Sequence, residues 1–289
     1  MGEATIAVDL LNPGQVLGCI GLMEAAEVFF GGVRAGFDWR GATTGFKLEA
    51  ALADNPIAAV IGFLKSARAT ALVPANCEHT TDKWKLPSDR LPDDAPYAYP
   101  SPDSPATLAV RLDGEVARRK ASLTIDYWGD HLLTTQRDPL KLWGGAGGYP
   151  GAALANDALE LIGEADESDP FAHRAPQSSA FRLDWRRDYI PIDAGFSPNE
   201  HGSLSMVGYP LVELLAAIGL TYARPVRDDR LAFRYGVIGG RTYAPSFMRA
   251  ALGGGELPFP MRSFQMQLGW TGQEGKERCI TIVTEDYKR

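Results

Sequence analysis

The sequence predicts an α+β fold, built mainly of antiparallel sheet with packed helices, and three observations carry that expectation. Asn-Pro occurs twice directly before an apolar run, at Asn12-Pro13 and Asn55-Pro56. Asparagine caps a helix N-terminus, and proline fits the first helical turn, whose amides lack partners anyway. Near the C-terminus Phe264, Met266, Leu268 and Trp270 alternate with Ser263, Gln265, Gln267 and Gly269, which is the period of a half-buried strand. A turn at Thr271–Gly275 then returns the chain through Arg278–Thr284 as a hairpin.

The elements follow in order. Thr5–Leu10 alternates and is predicted as a strand. Gly14–Phe30 is a helix with Val16, Leu17, Ile20, Leu22, Met23 and Val28 distributed around it; Glu24 and Glu27 mark its one polar stripe, so it is expected to be buried. Gly31-Gly32 ends it. After Asn55-Pro56, Ile57, Val60, Ile61 and Leu64 occupy one helical face. Thr70–Val73 reads as a strand. A Pro-rich loop covers 74–106, with seven prolines, and a connection of that length is functional or disordered. Two strands, Thr107–Leu112 and Ala121–Trp128, are joined by a polar basic stretch. Pro150 opens a helix through Ile162, an acidic linker follows, and Phe181–Trp185 reads as a short strand. Gly208-Tyr209-Pro210 opens a last helix carrying Leu211, Leu214, Leu215 and Ile218 on one face.

The chain is long enough for one α+β domain over 1–289, and ferredoxin-like elements fit the same mixture. Ile20-Gly21-Leu22 matches Ile218-Gly219-Leu220, and Gly148-Tyr149-Pro150 matches Gly208-Tyr209-Pro210. Two readings stand: related halves at 1–162 and 181–289 joined by the acidic linker, or a shared habit of starting helices.

Composition narrows the function. The 289 residues are 45% hydrophobic and 22% charged, with a net charge of −7. A free-standing DNA-binding domain usually carries a basic excess, because phosphate neutralisation supplies most of its affinity. Any nucleic-acid contact must here be local or shared with basic partners. Cys19, Cys77 and Cys279 are few, odd in number and far apart, which points to a reducing compartment. No apolar run reaches the roughly 20 residues of a membrane span. Met1-Gly2-Glu3 has no basic run, and Ile6 stands where a myristoylation pattern wants Ser or Thr. The expectation is a cytoplasmic protein with no membrane association.

No complete catalytic or metal motif emerges. Cys77-Glu78-His79 offers two zinc ligands without a second pair at suitable spacing. Asp126, Asp130 and His131 could gather around a cation, or close a strand and a turn. A hydrolase with an acidic site at Asp126 and Asp130 is the enzyme reading; the expectation is no enzyme, no metal and no cofactor.

The glycine loop Gly144-Gly145-Ala146-Gly147-Gly148 precedes a helix, where backbone amides approach phosphates. Tyr149-Pro150 stands where a Walker loop needs Lys-Ser/Thr, so a nucleotide cofactor is not expected; one backbone phosphate, with Lys141 nearby, or close backbone packing are the two readings. Charge is uneven. Positions 157–169 hold six acids and no base, whereas 222–249 hold Arg224, Arg227, Arg230, Arg234, Arg241 and Arg249 against Asp228 and Asp229. Arg118-Arg119-Lys120 is a second basic cluster. The planar fork of arginine suits phosphate oxygens; a solvated face or an acidic protein partner is the competing reading. Asp184 and Asp188 flank Arg186 and Arg187, which suggests ion pairing.

Several segments together resemble one family. They are Asp9-Leu10-Leu11-Asn12-Pro13-Gly14-Gln15 running into Gly21-Leu22-Met23-Glu24-Ala25-Ala26, then Phe37-Asp38-Trp39, then Trp143 through Gly151. Leu183-Asp184-Trp185-Arg186-Arg187 and Gln265-Met266-Gln267-Leu268-Gly269-Trp270 complete the set. The chain is similar to a small CRISPR-associated protein of type I-G (formerly I-U) systems. That resemblance implies a large-subunit-like, non-enzymatic component of an RNA-guided effector complex in antiviral defence. Its partners would be other Cas effector subunits, the CRISPR guide RNA and target DNA, with base pairing reading sequence. The alternative within the same setting is a ferredoxin-like subunit on the guide-RNA backbone. The candidate contact residues are Arg118, Arg119, Lys120, Lys141, Gly144, Gly145, Gly147, Gly148, Arg186, Arg187, Arg224, Arg227, Arg234, Arg241 and Arg249.

Overall fold

A computed structural model describes residues 2–95, 105–126, 150–177, 180–188, 205–270 and 278–286. In chain order these form β1 (Gly2–Ala7), α1 (Pro13–Phe30), β2 (Arg34–Asp38), β3 (Gly45–Ala50), α2 (Pro56–Ser66), β4 (Arg68–Val73), β5 (Ser88–Arg90), β6 (Ala109–Val116) and β7 (Arg119–Ile125). Then come α3 (Gly151–Leu161), the two-residue strands β8 (Ala175–Pro176) and β9 (Val207–Gly208), α4 (Pro210–Tyr222), β10 (Val226–Asp229), β11 (Ala232–Ile238), α5 (Pro245–Leu252), β12 (Met261–Trp270) and β13 (Arg278–Asp286). The α+β expectation holds. The sheets run β1-β3-β2, β5-β4-β6-β7 and β10-β11-β12-β13, and every pairing within them is antiparallel except β4 with β5.

The helices begin where the sequence says. Asn12 Oδ1 accepts the amides of Gly14 at 3.0 Å and Gln15 at 3.4 Å, and Asn55 caps α2 through Ala58 N at 2.9 Å. Gly31 ends α1 at φ +67°. Every residue of α1 from Pro13 to Ala26 is buried, so the helix is central, packed against α4, α2 and α5. Buried side chains from Ile6 to Val283 form one continuous core around it.

In that core α1 and α4 come into close backbone contact. A Cβ added at Gly21 would collide with the carbonyl oxygen of Leu215, and one added at Gly219 would collide with the carbonyl oxygen of Leu17. The contact is reciprocal: Leu17 lies one turn before Gly21, and Leu215 one turn before Gly219. The matching Ile-Gly-Leu triplets are thus the two sides of one helix crossing.

Several expectations are corrected. β1 ends at Ala7 rather than Leu10, because the Asp9 carboxylate accepts Leu11 N at 2.9 Å and turns the chain toward the Asn12 cap. The Pro-rich loop is partly ordered. β5 pairs in parallel with β4, and Arg90 Nη1 donates to the Ala75 and Cys77 carbonyls at 2.7 and 2.8 Å. The basic stretch between β6 and β7 shrinks to a two-residue turn, Ala117-Arg118, both at positive φ. β1-α1-β2-β3-α2-β4 has the βαββαβ order of a ferredoxin-like unit. However, β4 pairs with β5 and β6 and does not join β1. Phe181–Trp185 is not a strand: Arg182 has φ +67°, and the Leu183 and Asp184 amides turn to a carboxylate instead of a ladder. The acidic stretch is docked rather than free, since Ile162, Ala165 and Phe171 are buried. Segments 34–50 and 226–252, to which the sequence reading assigned no element, supply β2, β3, β10, β11 and α5.

An exposed helical glycine changed to alanine usually gains stability, whereas overpacking a core typically costs about 1–3 kcal/mol. Gly21→Ala or Gly219→Ala should therefore lower the unfolding free energy by an amount in that range. Gly62→Ala in α2, where nothing lies within 4 Å of the added carbon, should raise stability by about 0.5–1 kcal/mol. Chemical denaturation of the three variants checks both signs.

Candidate functional site

Two polar arrangements stand out, one buried and one at the surface. The first joins segments far apart in sequence. Asn12 Nδ2 donates to Asp184 Oδ1 at 2.9 Å while the same side chain caps α1. Gly14 lies so close to the Leu183 carbonyl that an added Cβ would sit 2.5 Å from its oxygen. Glu213, in the first turn of α4, accepts the amides of Leu183 at 3.1 Å and Asp184 at 3.0 Å. Arg186 returns to Asp184 through Nε at 3.0 Å, and its guanidinium lies 3.7 Å from the ring centroid of Tyr209. Asn12, Asp184 and Glu213 are all 1% exposed or less. This cluster positions the N-termini of α1 and α4 against the loop at 183–187.

Burial pushes the Glu213 carboxyl up to about 7, against the opposing pull of the Asp184 amide and the Arg187 charge. A carboxyl whose pKa is higher folded than unfolded binds its proton more tightly in the folded state. Its contribution to stability is therefore fully present below about pH 4.5 and is lost as pH rises toward about 7.

The second arrangement lies at one end of the β10–β13 sheet. Trp270 on β12 is paired directly with Arg278 on β13. The turn between β10 and β11 reaches the same end, because the Leu231 carbonyl accepts Leu268 N at 2.7 Å. The guanidiniums of Arg278 and Arg230 lie 5.3 and 5.8 Å from the Trp270 ring centroid. Burial lowers the pKa of Arg278, and the positive charges of Arg230 and Arg227 lower it further. At the next residue Cys279, burial raises the thiol pKa while the charges of Arg182 and Arg187 pull it down. In the same segment Asp228 pairs with Arg234 at 2.9 Å, and Asp229 accepts Arg230 N at 2.6 Å. The start of β13 thus sits in a field to which five arginines contribute.

The basic candidates divide. Arg249 grips the buried Glu24 from α5, with Nε at 2.6 Å from Oε1. Arg186 is bound to Asp184, Arg234 to Asp228, and Arg187 is 5% exposed within Coulombic reach of Glu213. These sites serve the fold. Arg224 acts on Asp126, whose carboxyl is raised by burial. Arg241 is exposed above Tyr243 and Phe259, at 5.2 and 5.5 Å. Arg118, Arg119 and Lys120 are exposed at the β6–β7 hairpin tip. Arg227 joins the surface cluster.

Lys141, Gly144, Gly145, Gly147, Gly148, Asp130 and His131 lie outside the described residues. Sequence reasoning missed Arg278, Arg182 and the role of Trp270. The hairpin register, which sets Trp270 opposite Arg278, was the signal for two of them. Among the described residues, no three His, Cys, Asp or Glu side chains form a group able to hold a metal ion. Cys77 lies in a small apolar cluster with Val73 and Leu108. No helix among them is long and apolar enough to cross a membrane.

No protein-family model matches this chain, and neither a curated protein nor a solved structure matches it.

The buried cluster gives a pH test. The stability difference between the wild type and Glu213→Gln should shift by about 3 kcal/mol against the wild type as pH rises from 4.5 to above 7. Denaturant titrations of both proteins across that range check it; a difference that stays constant with pH would contradict the raised Glu213 pKa.

Proposed function

We propose that this protein is a non-enzymatic, cytoplasmic subunit of a type I CRISPR effector complex, in which it contacts guide RNA or target DNA through a local basic surface. The observation that carries the reading is the placement of Arg230 and Arg278 at the Trp270 ring, with the charge of Arg227 acting on Arg278. Holding like charges together costs folding stability, and the charges of Arg230 and Arg227 add to the effect of burial in lowering the pKa of Arg278. An anionic backbone relieves that cost.

The net charge of −7 accords with a local contact instead of a whole-surface one. Glu160, Glu164, Asp166, Glu167 and Asp169 are exposed beyond and along α3, and they offer basic neighbouring subunits a complementary face. The resemblance of the α1 entry, of the 183–187 loop and of the β12 strand to the type I-G protein supplies the biological setting.

Co-purification with the guide-bound complex tests the proposal. The protein is expected to remain with the complex through size exclusion and to be required for normal target binding. A complex that assembles and binds target normally without it would contradict the reading. Salt dependence adds a second test: three phosphate contacts on a single strand predict a log–log slope of about −2, and Arg227→Ala should reduce it by about 0.7.

A further inference from the structure

We infer that the tip of the β6–β7 hairpin is a contact for the phosphate backbone of a DNA duplex, with Arg118, Arg119 and Lys120 reaching the strands that wall a groove. The inference rests on the nucleic-acid reading above and deepens it. It adds a contact on a different sheet from Trp270, and it points to target DNA in duplex form.

The disposition of the charges carries the argument. Exposed bases elsewhere in this protein find a carboxylate: Arg40 pairs with Asp38 at 2.7 Å although its side chain is 72% exposed, and Lys47 pairs with Glu3 at 2.8 Å. Arg118, Arg119 and Lys120 are consecutive and exposed, and among the described residues none of the three forms an ion pair. Glu115 stands directly opposite Lys120 in the ladder. The tip thus holds three bases against one acid on a chain whose total is acidic.

The charges surround a firmly based ribbon. Glu115 N donates to Ser66 Oγ at 3.1 Å, and a Cβ added at Gly114 would meet the Phe63 ring at 3.0 Å, so the base of the hairpin is fixed on α2. The ladder runs to the turn, with Val116 opposite Arg119. Successive strand residues face opposite sides. Arg119 therefore shares a side with the buried Leu123 and Ile125, beyond the end of the core, and Lys120 shares the other with the exposed Ser122 and Thr124. Arg118 occupies the turn itself at φ +62°, after Ala117 at +49°. Glycine or asparagine suits such a turn, so arginine stands here against the backbone's preference, a cost that a contact made by its side chain offsets.

The chemistry of the tip selects the ligand. Residues 115–120 expose no large apolar side chain of the kind that anchors a protein interface. They contain no aromatic on which an unpaired base could stack. A two-stranded ribbon enters the major groove of B-form DNA, and bases on both of its sides then meet phosphates on both walls. The deep, narrow major groove of an A-form helix does not admit it.

Fluorescence anisotropy of the full chain with dye-labelled probes tests this. The probes are a blunt DNA duplex, an RNA–DNA hybrid and a single DNA strand of the same length, and polyglutamate as an acidic polypeptide. Each phosphate contact on a duplex adds about 0.9 to the log–log salt slope. Arg118→Gln, Arg119→Gln and Lys120→Gln combined should therefore cut the slope for the DNA duplex by about 2.7 and weaken its binding at low salt by about tenfold or more. Binding of the single strand and of the hybrid should stay within about twofold. Arg118→Gly, which suits the positive φ and so keeps the hairpin, should cut the duplex slope by about 0.9. A duplex slope unchanged in both variants, or an equal loss on the single strand or the hybrid, overturns the inference while leaving the nucleic-acid reading intact. Polyglutamate bound by the wild type as tightly as the duplex, and released by the triple variant, overturns it in favour of an acidic protein partner. No binding of any nucleic-acid probe at low salt overturns both.

Discussion

The crossing of α1 and α4 at Gly21 and Gly219 is the constraint on which the rest of the structure depends. At both positions the partner helix's backbone takes the space where a side chain would begin. Two helices held that close carry their N-termini to a shared location, where Asn12 caps α1 and Glu213 stands in the first turn of α4. The loop at 183–187 is threaded between those ends, its amides on Glu213 and its Asp184 carboxylate on Asn12 and Arg186. From this frame the β10–β13 sheet is positioned by Tyr235, whose hydroxyl donates to the Leu10 carbonyl at 2.8 Å. Ala35 and Tyr243 exchange backbone hydrogen bonds at 2.8 and 2.7 Å, which joins the end of that sheet to β2.

Charge follows the same division between frame and surface. Two buried carboxylates meet arginines, because an ion left alone in the interior costs several kcal/mol. Glu24 with Arg249 and Asp184 with Arg186 are of this kind. At the rim of the sheet, arginines gather near an aromatic and a half-buried thiol. A chain with an acidic total can therefore present a basic surface without a basic composition.

Much of the frame was legible in the sequence. Asn12-Pro13 and Asn55-Pro56 announced helix starts because the capping geometry is local, and the alternation at 263–270 announced β12 because burial on one face has period two. The Ile-Gly-Leu match read as related halves or a shared habit of starting helices, whereas its place in the fold is a contact between helices about 200 residues apart in sequence. The 181–185 run failed as a strand for a related reason. Its alternation reflects burial of Phe181 and Leu183, but its amides are claimed by Glu213, thirty residues on. The basic segment 222–249 was found by composition. Composition could not show that Arg249 and Arg234 have carboxylate partners, nor could it add Arg278 from another strand. Both depend on tertiary register.

In the proposed function, nucleic acid meets the arginine–aromatic rim and not the buried Asn12–Asp184–Glu213 frame. Hydrogen–deuterium exchange of the full chain with and without a single-stranded oligonucleotide separates the two surfaces. Slowed exchange across 226–234 and 278–286 is expected, with 13–30 and 210–222 unchanged. Protection centred on the α1 N-terminus or on the hairpin tip at 116–120, with the β10–β13 sheet unaffected, would contradict it.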